Sequence, residues 1–108
     1  MRVYIAAPYT IGDRSENVRK AIEAATQVLD SGHEPFVPLL SHFWDLIYPR
    51  DWTEWMRLDM AWLPCAEALI RLPGYSDGAD KEAHAARQNN IPVFKSVEAF
   101  LGHIRNIP

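Results

Sequence analysis

Glu82 stands just past a glycine-containing turn, Pro73-Gly74-Tyr75-Ser76-Asp77-Gly78, in what reads as the first turn of a helix beginning near Ala79. Backbone N–H groups left free at such a start favour an ionised carboxylate. A carboxylate held there and exposed to a crevice can attack an electrophilic sugar carbon and form a glycosyl-enzyme, as carboxylates do in retaining glycosyl chemistry. The bland alternative is a helix-start acid favoured by the dipole alone, and position by itself leaves both open. A second acid, Asp59, falls seven residues after Trp52 on the helical stripe Trp52, Trp55, Met56, Trp62 and Leu63. An acid on an apolar face is a break in local consistency, and such breaks are enriched at functional sites. If the tryptophans bury it, its pKa rises and it can protonate a leaving group, so that two acids in different environments divide the work. Otherwise it is a helix-surface Asp that turns sideways to water.

Ser76 and Gly78 precede the same helix, where a hydroxyl and backbone N–H groups can cradle a phosphate. Most stretches of this kind are plain turns, and neither a Walker A motif nor the full dinucleotide fingerprint is present. The segment Ser41 to Arg50 reads as an aromatic loop, in which His42 and Trp44 can wall a flat base or simply pack in the core. His33, His42, His84 and His103 show no metal-ligand spacing, so no metal and no cofactor are expected. Cys65 has no partner for a disulfide and reads as a small buried hydrophobe.

The elements that must position these residues follow from periodicity. Arg2 to Ala7 is an apolar run rich in β-formers that stops at Pro8. Asp13 with Glu16 opens a helix carried by Val18, Ala21, Ile22, Ala25, Val28 and Leu29 and closed by Gly32. A short strand around Phe36 and Val37 lies between prolines, as an edge strand would. Asp51 with Glu54 repeats the capping signal ahead of the tryptophan helix, which Pro64 ends. Ala66 to Leu72 and Ile91 to Phe94 are two further strands, separated by the Ala79–Gln88 helix, and Ser96 caps a last helix over Val97, Phe100, Leu101 and Ile104.

The order β-α-β-α-β-α-β-α predicts one domain over residues 1–108. Its expected fold class is α/β: an open parallel sheet of the flavodoxin or Rossmann-like kind, about four to five strands, with helices on both faces. With strand order 2-1-3-4 the ligand crevice lies beyond the carboxyl ends of strands one and three. The loops Pro8 to Gly12 and Pro73 to Gly78 converge there, so Pro8 and Tyr9 join Ser76, Gly78, His42 and Trp44 as candidate substrate contacts.

With 108 residues, 48% of them hydrophobic and 23% charged, the chain has the composition of a globular domain. Its net charge of −3, without a basic run, excludes the footprint of a polymeric nucleic-acid binder. No apolar run approaches the ~20 residues needed to span a bilayer. One cysteine and no basic leader read as a reducing, cytoplasmic setting. A domain this small has little room for a deep private pocket, so a homo-oligomer, a dimer or higher, is expected to complete the site.

Three segments carry a family resemblance that covers nearly the whole chain: Val3-Tyr4-Ile5-Ala6; Asp59-Met60-Ala61-Trp62-Leu63 leading to Ala66-Glu67-Ala68-Leu69; and Ser76-x-Gly78-x-x-x-Glu82. The chain resembles the nucleoside 2-deoxyribosyltransferase-like superfamily, which includes the 2′-deoxynucleoside 5′-phosphate N-hydrolases and short bacterial and phage relatives. The resemblance implies Glu82 as the nucleophile at C1′, the Tyr4 hydroxyl as the group that orients it, and Asp59 as the contact to the leaving base. Ser76 matches a serine with which the 5′-phosphate hydrolases touch phosphate, where the transferases acting on free nucleosides tend to carry an acid. The first loop, Pro8 to Arg14, lacks the Gly-Ser-Ile-Arg-Gly-Gly phosphate pattern of those hydrolases, and Asp77 and Asp80 add negative charge nearby. The expected activity is therefore cleavage or exchange of the N-glycosidic bond of a (deoxy)nucleoside or its 5′-monophosphate, with hydrolysis ranked ahead of transfer. The expected partner is a small-molecule nucleoside or nucleotide. The rival expectation is a non-catalytic nucleotide-binding or sensor module on the same fold.

Overall fold

A computed structural model describes residues 1–105. Strand β1, Arg2–Ala6, forms the centre, and Val3 to Ala6 are at most 1% exposed, as an apolar run covered on both sides requires. It pairs in parallel with β2, Glu34–Phe36, on one side and with β3, Ala68–Arg71, on the other. Strand β4, Val93–Phe94, pairs in parallel with β3, so the four-stranded sheet runs β2-β1-β3-β4. Propagation reverses between β1 and β3, and that is the switch point at which a crevice opens.

Alternation along the strands sends successive side chains to opposite faces. Val3, Ile5, Ala68 and Ile70 meet α1, Arg14–Asp30, and α5, Val97–Arg105, through Ala21, Ala25, Val28 and Phe100. Tyr4, Ala6 and Leu69 face the other way, into α4, Asp77–Gln88, and its stripe Ala79, Ala83 and Ala86. Helices thus cover both faces, and the fold class expected from the sequence is the one observed.

The caps explain where helices begin. Asp13 accepts from the Glu16 backbone N–H at 3.1 Å, and Ser96 accepts from that of Ala99 at 3.0 Å. Gly32, with φ at +88°, follows the end of α1 as its glycine signal predicted. Helix α3, Trp52–Trp62, does form, but Asp51 makes no side-chain cap; its backbone carbonyl alone takes the Glu54 N–H at 3.0 Å.

The aromatic segment expected as a loop instead holds helix α2, Ser41–Ile47. It continues directly from a 3-10 turn at Pro38–Leu40, where proline's fixed φ presets the first turn. Helix α4 begins at Asp77, two residues before the expected start, because Ser76 serves as its cap. Cys65 is exposed rather than buried, since it sits in the short 3-10 turn Leu63–Cys65 that carries the chain out of α3. Among the described residues, no helix is long and apolar enough to cross a membrane.

Candidate active site

Glu82 lies in the second turn of α4, not the first, and on the buried side of the helix. It interrupts the stripe Ala79, Ala83 and Ala86 and is only 5% exposed. The expectation of an exposed acid at a helix start is corrected on both counts. What holds it is Tyr4: from the middle of β1, the fully buried hydroxyl donates to the Glu82 carboxylate. The three alanines have no bulk beyond Cβ, so α4 lies close to the sheet and brings this pair together across 78 residues of sequence.

Asp59 is the one buried residue of α3, at 9% exposure, while Trp52 and Trp62 of the same helix remain 42% and 56% exposed. The acid is the side chain that α3 buries most fully, with Trp55, Met56 and Met60 partly covered beside it. A crevice of about 410 Å³ at the switch point is lined by both acids, by Tyr9 and Ser76, and by Trp52, Trp55 and Met56. A somewhat larger hollow, about 480 Å³, lies alongside it between α1 and the start of α5, sharing Ala7, Ile11 and Tyr75, and neither Asp59 nor Glu82 lines it. Buried ionisable groups, not volume, single out the first as the candidate for chemistry.

Burial pushes the Glu82 carboxyl up to about 8; the Tyr4 hydrogen bond pulls against this, the Asp59 charge adds to it and Arg71 opposes it. Burial alone pushes Asp59 up to about 6. Tyr4 is raised far above the usual phenol range, by burial first and then by the charges of Glu82 and Asp59, so it stays a proton donor in its hydrogen bond. Near neutral pH the two carboxyl groups therefore share about one proton between them.

Of the other residues singled out in the sequence, Tyr9, Ser76 and Gly78 line this crevice. The Ser76 hydroxyl oxygen already accepts from the Ala79 N–H at 3.1 Å, capping α4. A Cβ placed on Gly78 would stand 3.6 Å from both Met56 and Trp52, so this glycine lies directly under the tryptophan wall. Pro8 lines the other hollow. It lies against Gly74, whose φ of +118° and a Cβ position only 2.9 Å from the proline ring leave no room for a side chain there. His42 and Trp44 do not line the crevice. His42 meets the Tyr9 hydroxyl at 2.6 Å, and Trp44 packs edge-on against Trp55 with ring centroids 5.1 Å apart.

The aromatic wall is instead Trp52 and Trp55, already marked by their place on the Asp59 stripe. The Trp55 indole N–H donates to Asp45 at 2.8 Å, and the Lys81 ammonium lies over the Trp52 ring, 5.0 Å from its centroid. Arg71, whose side chain is 16% exposed, pairs with Asp80 at 2.9 Å and steadies the start of α4. Arg14 lies over the Tyr9 ring, 5.4 Å from its centroid. Among the described residues, no group of three or more His, Cys, Asp or Glu side chains could hold a metal ion. Chemically, the arrangement offers two carboxyl groups of unequal acidity beside a flat aromatic wall, with three acids, Asp59, Asp77 and Glu82, against the single lysine Lys81.

The fold defines an open parallel α/β protein, and a solved structure shares it. The chain resembles a 2-deoxyribosyltransferase from the psychrotolerant bacterium Bacillus psychrosaccharolyticus, described as a suitable biocatalyst for the industrial synthesis of antiviral and antitumoral nucleosides. The TM-score is 0.59 at 22% identity, over 86% of this chain and 69% of that one, a likeness of fold. No curated protein matches the chain in sequence. The chain belongs to the family described as a domain of unknown function, DUF7768, which matches residues 1–96.

Proposed function

We propose that this protein cleaves the N-glycosidic bond of a nucleoside or its 5′-monophosphate, or exchanges the base across it. The observation that carries this reading is the buried Tyr4–Glu82 hydrogen bond facing Asp59 beside the tryptophan wall. The wall stacks the base. Glu82, as carboxylate, attacks C1′; the C1′–N electrons leave with the base, which takes its proton from the Asp59 carboxyl. Water then attacks C1′ of the glycosyl ester, Asp59 accepts its proton, and Glu82 departs as carboxylate, with net retention. A second base in place of water gives exchange. The crevice is open to solvent, which favours hydrolysis. Its acids favour a neutral nucleoside over a phosphorylated one.

This chemistry runs through the arrangement of the shared proton in which Glu82 is ionised and Asp59 protonated. The raised pKa of Glu82 also supports a second reading, a nucleotide-binding or sensor module in which Glu82 only hydrogen-bonds its ligand. Incubation with ribo- and deoxynucleosides and their 5′-monophosphates, with and without a free base, separates the readings by chromatography. Base release without acceptor is expected. Exchange alone identifies a transferase, and saturable binding without any product supports the sensor module and overturns the catalytic reading.

A further inference from the structure

Helix α2 is built inside out for a chain that stands alone. Its polar side chains point inward: His42 meets Tyr9 at 2.6 Å, and Asp45 takes both the Trp55 indole N–H and the Arg50 backbone N–H at 2.8 Å. The stripe Leu40, Phe43, Trp44 and Ile47, spaced as one helical face, is 48%, 53%, 53% and 72% exposed. Leu46 at 68% and Tyr48 at 67% flank it. No residue of α2 is buried, and a helix of seven residues has little stability of its own in water. A stripe at this spacing is normally the face a helix covers.

We propose that this stripe is the contact between two copies of this chain, packed across a twofold axis. A whole aromatic side chain presents about 150–250 Å² and aliphatic ones somewhat less, so the six exposed residues carry roughly 600–700 Å². That is at or above the ~300–600 Å² that a monomer leaves in its largest apolar patch, and close to the ~800 Å² per partner of a stable interface. From Leu40 to Tyr48 the one charged side chain is Asp45, which faces inward, so a second copy brings no like charges together. Amphipathic helices that bind membranes carry Lys and Arg on their polar face. This segment has none, in a chain of net charge −3. Two identical patches related by a twofold axis are the commonest protein assembly. Because Trp44 packs on Trp55, the second copy backs the wall of the crevice from behind.

Sedimentation velocity from about 1 to about 100 µM tests this through mass action. Wild-type protein is expected to reach twice the monomer mass at the upper end and to dissociate on dilution. Ile47→Glu and Leu46→Glu, made where the side chains already face solvent, are expected to stay monomeric throughout with unchanged circular dichroism. Iodide quenching of wild-type tryptophan fluorescence, which needs no substitution, is expected to fall as concentration rises and Trp44 is covered. A wild-type monomer at every concentration overturns the proposal, and if that monomer pellets with phosphatidylglycerol vesicles the stripe is a membrane contact instead. A dimer that survives both substitutions, or quenching that does not change, overturns it as well.

Discussion

Replacing Glu82 by Gln keeps the shape of the side chain and an oxygen for the Tyr4 hydroxyl, and removes the charge. Burial raises the Glu82 pKa from an ordinary 4.5 to about 8, so the native chain holds this proton more tightly than the unfolded chain does. For an acid with a raised folded-state value, the associated stability is whole below pH 4.5 and is lost as pH rises through 8. At about 1.4 kcal/mol per unit, wild type loses roughly 3 kcal/mol by pH 7 and roughly 5 kcal/mol by pH 9, relative to a side chain that never ionises. Asp59, raised from 3.8 to about 6, adds a further loss over that lower window in both proteins, and a smaller one in the variant, where no Glu82 charge repels it. The extra amide donor of Gln costs the same at every pH, so the slope is the signal. Urea unfolding of both proteins from about pH 4 to about pH 9 should give curves that diverge through the neutral range and run parallel above pH 8, with the variant gaining on wild type. Base release by the variant should be abolished. Parallel stability curves throughout would show that Glu82 is not desolvated as its burial implies, and undiminished base release would remove it as the nucleophile.

In wild type, kcat/KM for base release should rise with pH through about 6 and fall above about 8, since the active arrangement holds one proton between Asp59 and Glu82. Asp59→Asn removes both the proton donor and a charge that raises Glu82. Its rate should drop about a hundredfold, with the bell replaced by a single ascending limb below 8; a retained bell in a pH–rate series would assign the limbs to other groups. Trp52→Ala takes away a stacking face at the crevice, so KM for nucleosides should rise roughly tenfold with kcat little changed. Steady-state kinetics showing the loss in kcat instead would make Trp52 a support for Asp59 rather than a wall for the base.

Much of the scaffold was legible because it rests on local signals. The run Val3 to Ala6 reads as a central strand since every side chain in it is apolar, and it is buried on both faces. The Asp13 and Ser96 side chains cap their helices as read, because each bond spans only three residues. Helix α2 was missed because aromatic and aliphatic residues crowd both its outer stripe and its flanks, hiding the period. The Asp51 signal failed because the identical Asp-x-x-Glu pattern can place the backbone carbonyl, rather than the carboxylate, over the first turn.

Asp59 was visible as an acid among tryptophans, and the structure turns that acid inward. Glu82 was nominated from its spacing, yet its burial was not foreseen, although Ala79, Glu82, Ala83 and Ala86 form one helical stripe in the sequence. His42 and Trp44 were placed at the crevice by their aromaticity, whereas Trp52 and Trp55 line it.

By itself, then, the sequence determined the order of the strands and of every helix but α2, the caps at Asp13 and Ser96, and the identity of the two acids, all of which depend on neighbours within a turn or a strand. The contact of Tyr4 with Glu82 was implied beforehand only by the family resemblance, and the tertiary structure alone decided which tryptophans wall the crevice and that burial raises both acids. Desolvation and hydrogen bonding act over a few ångströms of space, and here the groups involved lie as far as 78 residues apart along the chain, where no local pattern can register them.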